Sequence, residues 1–155
     1  MYYYLLLLVI PAYSFSQTRL PSLFSSNMVL QQNSYVAIWG TDLPETTISL
    51  SGSWGSGASA KADSHGKWKT EIATAEAGGP FTLIIRGSEK IVIDDVLVGE
   101  VWLCSGQSNM QLPVRGNINQ PVTGSNDDIL KSGNPELRVF QVKHNTSLSP
   151  LYTLI

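Results

Sequence analysis

Val96-Leu97-Val98-Gly99-Glu100-Val101-Trp102-Leu103-Cys104-Ser105-Gly106-Gln107-Ser108-Asn109-Met110 is the stretch on which the reading of the fold turns. Val101 to Cys104 is apolar on both faces of an extended segment, the pattern of a strand covered on both sides in an α/β sheet. The run stops at Ser105, and Gly106 permits a turn that a residue with a Cβ would resist. A serine two residues after a glycine, at the carboxyl end of a buried strand, is where α/β enzymes place a nucleophile or a ligand contact. Ser108 is therefore the expected chemical centre. The residues alone leave another role open, because a serine at a strand end also caps the following turn, and Ser105 competes for either role.

Gly106-Gln107-Ser108 holds half of the nucleophile-elbow pattern, which has a second glycine where Met110 stands. The longer string Gly99-Glu100-Val101-Trp102-Leu103-Cys104-Ser105-Gly106-Gln107-Ser108-Asn109-Met110 closely resembles the first block of the sialate O-acetylesterase family, within the SGNH (GDSL-like) hydrolases. Leu20 to Gln32, Val36 to Gly40, Gly66-Lys67-Trp68, Ala77 to Phe81 and Asn134 to Phe140 look like the amino-terminal region of the same family. The likeness runs from about Leu20 to about Val142.

That resemblance implies ester hydrolysis through a covalent acyl-enzyme. Ser108 Oγ would attack an acetyl carbonyl, a histidine would take its proton, and the backbone N–H of Ser108 would help hold the oxyanion. Gln107 stands where the GDS variant of the block has Asp, which implies a part in shaping the turn or contacting substrate. The family's other oxyanion donors, a Gly and an Asn, and its Asp-x-x-His block have no match up to Ile155. The expectation is thus an amino-terminal fragment with little or no esterase activity by itself, acting in the whole enzyme on an acetylated carbohydrate without a cofactor or metal.

The 155 residues suffice for one ordinary domain or two small ones. An apolar share of 43% and a mean hydropathy of +0.03 are those of a soluble globular protein. A net charge of −2 offers nothing to nucleic acid or to an anionic membrane. The single cysteine, Cys104, excludes an intramolecular disulfide, and its setting predicts a small core hydrophobe.

At the amino end, Leu5-Leu6-Leu7-Leu8-Val9-Ile10 is too short to span a bilayer, and Ser14 and Ser16 place small residues before a cleavage point at Gln17. Residues 1–16 read as a signal peptide for a secreted or periplasmic protein with no membrane contact after cleavage. Met1-Tyr2-Tyr3-Tyr4 lacks the usual basic residue, which leaves an apolar strand or an uncleaved anchor as the other reading.

Residues 17–95 read as all β. Strand-like runs occur at Tyr35 to Trp39, Thr46 to Leu50, Trp68 to Ile72, Phe81 to Arg86 and Lys90 to Ile93, spaced as in a sandwich or barrel. Gly52 to Ser59 reads as a flexible loop and Asp63-Ser64-His65-Gly66 as a hairpin turn, with His65 solvated rather than catalytic. Trp39 and Trp68 fit core positions. Trp54, in the glycine-serine loop, is the expected exposed aromatic if this region binds glycan.

After the serine, Asn126 to Gly133 reads as a short helix capped by Ser125 or Asn126, with Asp127 and Asp128 at its positive end rather than serving as a catalytic pair. Asn134-Pro135 ends it, and Leu137 to Val142 has strand composition. Strand, helix, strand makes residues 96–155 the start of a parallel βαβ layer. His144 does not match the family's catalytic histidine block, and Asn145-Thr146-Ser147 is a glycan acceptor only in a eukaryotic, exposed setting. The expected fold is a β-sandwich-like accessory domain followed by the truncated start of an α/β (SGNH-hydrolase, flavodoxin-like) domain. The competing reading is a secreted carbohydrate-binding β-sandwich module without catalysis.

Overall fold

The computed structural model describes residues 17–142 and 146–148. The signal peptide expected at residues 1–16, His144 and Asn145 lie outside the described residues.

Seven strands carry the fold: β1 (Val29–Gln31), β2 (Tyr35–Thr41), β3 (Thr47–Gly52), β4 (Gly57–Lys61), β5 (Lys67–Ala73), β6 (Gly78–Arg86) and β7 (Lys90–Gly99). They form a five-stranded sheet in the order β1-β7-β6-β3-β4 and an antiparallel pair, β2-β5. β1 runs parallel to β7, with Val29 opposite Leu97 and Gln31 opposite Gly99. The other pairings of the larger sheet are antiparallel.

Alternation in sequence becomes alternation in burial. In β3, Thr47, Ser49 and Ser51 face solvent while Ile48 and Leu50 are buried. Ile38, Trp68 and Ile72 of the pair and Ile48, Leu50, Leu83, Ile85, Ile93 and Val96 of the larger sheet share one apolar core with Phe24 and Leu30. Each such side chain contributes about 1.5–3 kcal/mol by leaving water. Trp39 lies against this core with its ring edge-on to Phe24, centroids 4.7 Å apart.

All five strands expected in residues 17–95 are present, and two more in that region were missed, as was a short antiparallel pair further on, Gly116–Asn117 with Gln120–Pro121. β1 has three residues, too few to show a period. The expected loop Gly52 to Ser59 is shorter than read, since β4 begins at Gly57 and turns Ala58 and Ala60 toward the core between outward Ser59 and Lys61. Small residues on both faces hid that alternation.

β7 carries a bulge that keeps its apolar residues in phase. Ile93 pairs with Leu83 and Val96 with Phe81, so three residue steps on β7 match two on β6. The extra residue falls at Asp94-Asp95, where Asp95 has a left-handed φ of 55°. Without it Val96 and Val98, both buried, would face outward. β7 runs on to Gly99, through the boundary read at residue 95.

Beyond Gly99 the expected βαβ layer is not formed among the described residues. Val101 to Cys104 and Leu137 to Val142 are not strands. Trp102 is 82% and Leu103 93% exposed, and Cys104 is exposed instead of being a core residue. Val101 to Cys104 has the composition of a doubly covered strand and Leu137 to Val142 that of a strand, but composition yields a strand only when neighbours supply hydrogen-bond partners and cover. None of the described residues does so. The helix is present as α1 (Ser125–Lys131), with Asp127 and Asp128 in its first turn. Its N-cap is Gly124, with no side-chain cap from Ser125 or Asn126, and its C-cap is Ser132.

One buried polar group ties the chain start to the sheet. Asp42 accepts from Thr18 Oγ1 at 2.7 Å and Ser88 N at 3.1 Å on one oxygen, and from Leu43 N at 2.7 Å on the other. Burial raises its pKa, but the hydrogen bonds from Ser88, Thr18 and Leu43 outweigh that, and the net shift is below the ordinary 3.8. Gly87 leaves it room, since a Cβ there would stand 2.0 Å from the Asp42 carboxylate. Asp42→Ala is expected to cost about 1–3 kcal/mol in urea unfolding, because two N–H groups and a hydroxyl lose their acceptor. A folded pKa below the unfolded one stabilises above pH 3.8. In the wild type this contribution is expected to fade as pH drops below that value, and in Asp42→Ala to be absent.

Candidate active site

The path from β7 to Ser108 is set by side chains of β1 and the residue after it. Gln32 Nε2 donates to Glu100 Oε1 at 2.6 Å and Gln31 Nε2 to Glu100 Oε2 at 3.3 Å. Gln31 Oε1 accepts from the backbone N–H of Val101 at 2.9 Å, and Gln32 Oε1 from that of Ala77 at 3.0 Å. The bonds from Gln32, then Gln31, hold the Glu100 carboxyl below the usual glutamate value.

Eight residues after Glu100 the chain tightens into a single 3₁₀ turn, Ser108–Gln111. Gln107 precedes it in extended conformation, and its carbonyl accepts from Met110 N at 2.9 Å. Met110 folds back over Gly106, where an added Cβ would come within 2.6 Å of Met110 Cγ. Ser108 thus opens the turn with an exposed side chain, and Gln107 beside it is exposed too. The turn has no side-chain cap, so Ser108 is not occupied in capping it.

Among the described residues, no histidine or carboxylate is hydrogen-bonded to the Ser108 hydroxyl. His65 is exposed in the turn between β4 and β5, its Nδ1 3.4 Å from Ser64 Oγ. That turn is held by Asp63 Oδ1, which accepts from the N–H of His65 and of Lys67. Asp127 and Asp128 serve the start of α1. Among the described residues, no group of three or more His, Cys, Asp or Glu could hold a metal ion, and no helix is long and apolar enough to cross a membrane.

Trp54 is not the exposed platform expected for glycan. Its indole N–H donates to the Ala73 carbonyl at 2.8 Å, and its ring meets Phe81 edge-on at 5.8 Å. It lies over Gly52, where an added Cβ would come within 2.4 Å of the ring, and it packs on the core. Glycine and serine neighbours gave the loop its flexible look, but they are what let the indole fold back.

Missed from the sequence are Gln31, Gln32 and Glu100, and a second contact, at the bulge of β7. Arg138 donates through Nη2 to Asp95 Oδ1 at 2.8 Å and through Nη1 to the Asp95 carbonyl. Its side chain is 17% exposed. Nothing in residue type or spacing pairs positions 43 apart.

No family model matches the chain. It is 38% identical over 108 residues to a human sialate O-acetylesterase and 35% identical over 107 residues to the mouse protein, in each case over 62% of this chain and 20% of the relative. It also superposes on the crystal structure of a carbohydrate acetylesterase from Xanthomonas citri with a TM-score of 0.79 and 32% identity, over 89% of this chain and 31% of that one. The chain therefore spans about a fifth of the length of the curated relatives it matches.

Proposed function

Since the chain belongs to the sialate O-acetylesterase family, we propose that it is the nucleophile-bearing part of a carbohydrate esterase that removes O-acetyl groups from sugars. The observation that carries this reading is the exposed Ser108 at the head of the 3₁₀ turn, inside the block through which the chain resembles the family.

In this reading Ser108 Oγ adds to the acetyl carbonyl and a histidine takes its proton. The backbone N–H of Ser108 faces the oxyanion, the sugar departs as the alcohol, and water then releases acetate from the acyl-serine. Gln107, exposed next to the nucleophile, contacts substrate. A serine without a base keeps its proton at neutral pH, so the histidine and its aspartate, with the remaining oxyanion donors, come from residues beyond Ile155 in a longer protein.

The apolar side chains left in water between Val101 and Val142, among them Trp102, Leu103, Leu130 and Val139, support that reading. They are the residues that an α/β layer begun at Val101 would cover. Residues 1–16 serve export, placing the protein outside the cell or in a periplasm.

A fluorophosphonate probe tests the proposal. A longer chain containing these residues is expected to gain the phosphonyl mass on the peptide that includes Ser108, while the 155-residue chain stays unlabelled. Labelling elsewhere, or none in the longer chain, would overturn it.

A further inference from the structure

The segment that carries Ser108 is fastened at both ends to the larger sheet. It leaves β7 at Gly99 with Glu100 held by the two carboxamides of Gln31 and Gln32. It comes back to β7 at the bulge, where the guanidinium of Arg138 spans the carboxylate and the carbonyl of Asp95. The two anchors lie five residues apart on β7 and its continuation, while the segment between them runs from 100 to 138.

Several features mark these contacts as more than incidental surface pairs. Each glutamine uses both ends of its carboxamide, donating to Glu100 and accepting from a backbone N–H, of Val101 or of Ala77. Four such bonds fix two side chains and the direction of the outgoing backbone. At the other anchor the bulge gives Asp95 a left-handed φ of 55° and sets its side chain and carbonyl toward one guanidinium. A planar fork with two acceptors fixes orientation as well as distance. Arg138 is mostly buried, so its bonds are less open to water than those of a surface pair.

We propose that Gln31, Gln32, Asp95 and Arg138 are positioning residues, which through Glu100 and β7 set where Ser108 stands relative to the β sheet. None of them touches substrate. They act through the backbone that bears the nucleophile, so the catalytic half of the inference rests on the esterase reading of Ser108, while the geometric half does not.

Cys104 lies inside the segment, is exposed and is the one cysteine of the chain, so it takes a nitroxide label without other changes. A second label on Ser49→Cys, an exposed position of β3, allows double electron–electron resonance to measure the distance between segment and sheet in the 155-residue chain. The expected result is a single narrow distance. It should broaden in Gln31→Ala/Gln32→Ala and in Arg138→Ala, and stay narrow in Asp95→Asn, which keeps both oxygen acceptors. Arg138→Lys keeps the charge, loses the fork and should broaden as well, which covers the case in which Arg138→Ala fails to fold. A narrow distance that survives the glutamine and Arg138→Lys changes overturns the proposal.

In a longer chain, phosphonylation at Ser108 should slow by up to about 100-fold in Arg138→Lys, since small misplacement of a reacting group costs rate on that scale. Broadening together with an inert Ser108 in the wild type would sink the esterase reading and leave the anchors in place. A labelled Ser108 whose rate none of the variants changes would sink the positioning role and leave the esterase.

Discussion

Alanine at position 108 is expected to end acyl transfer in a longer chain that contains these residues: acetate release from an O-acetylated sugar should fall by on the order of 10⁴-fold or more. In the proposed mechanism the Ser108 hydroxyl oxygen is the atom that forms the acyl bond, and the other parts of such a site cannot supply it. Binding of the sugar depends on other groups, so KM should change little. Ser105 makes the control, because it is the other serine of the block and precedes the turn at Gly106. Ser105→Ala should keep most of the activity and the same phosphonylated peptide. Equal losses in the two variants would mean that the segment needs both serines for its shape and that Ser108 is no nucleophile.

The largest effect on folding should come from Trp68. It is 3% exposed, at the centre of the core that both sheets share, and Trp68→Ala should lower the free energy of unfolding in urea by about 3–5 kcal/mol through lost burial and an unfilled cavity. Trp68 also separates packing from hydrogen bonding. Its indole nitrogen is a buried polar atom without a hydrogen-bond partner among the described residues, so Trp68→Phe gives up volume but no bond. The phenylalanine variant should therefore lose clearly less than the alanine variant. If the two lose the same, the indole N–H has a partner in solution.

How much of this could be read from residues alone varies with the range of the interaction. Strands with a clear two-residue period, such as Thr47–Gly52, announce themselves, because one face is apolar and the other is not. β4 does not, since Gly57, Ala58, Ser59 and Ala60 differ too little in size and polarity for a period to show. The hairpin at Asp63–Gly66 was legible because its bonds lie within four residues. Asp95 and Arg138 were not, because their contact depends on a bulge that exists only once β6 and β7 have paired. Trp54 was misread for a related reason: the loop around it is flexible by composition, and the carbonyl and ring that hold the indole come from Ala73 and Phe81. Ser108 lies in a turn, but the apolar run before it, Val101 to Cys104, read as the buried strand that presents it, is not a strand among the described residues. Local composition states what a segment could become, and its neighbours decide whether it does.

β4 ends the larger sheet, and a sheet's last strand is where another molecule can add on. Here it offers little. Its side chains are small, its last residue Lys61 is engaged with Glu45, and the Ser59 carbonyl already accepts from the Thr70 hydroxyl at 3.1 Å. Polymerisation by strand addition is blunted on that side. If solutions of the 155-residue chain turn cloudy, the sticky surface to mend is the uncovered Trp102-Leu103 stretch, and polar replacements there, rather than on β4, should restore clarity.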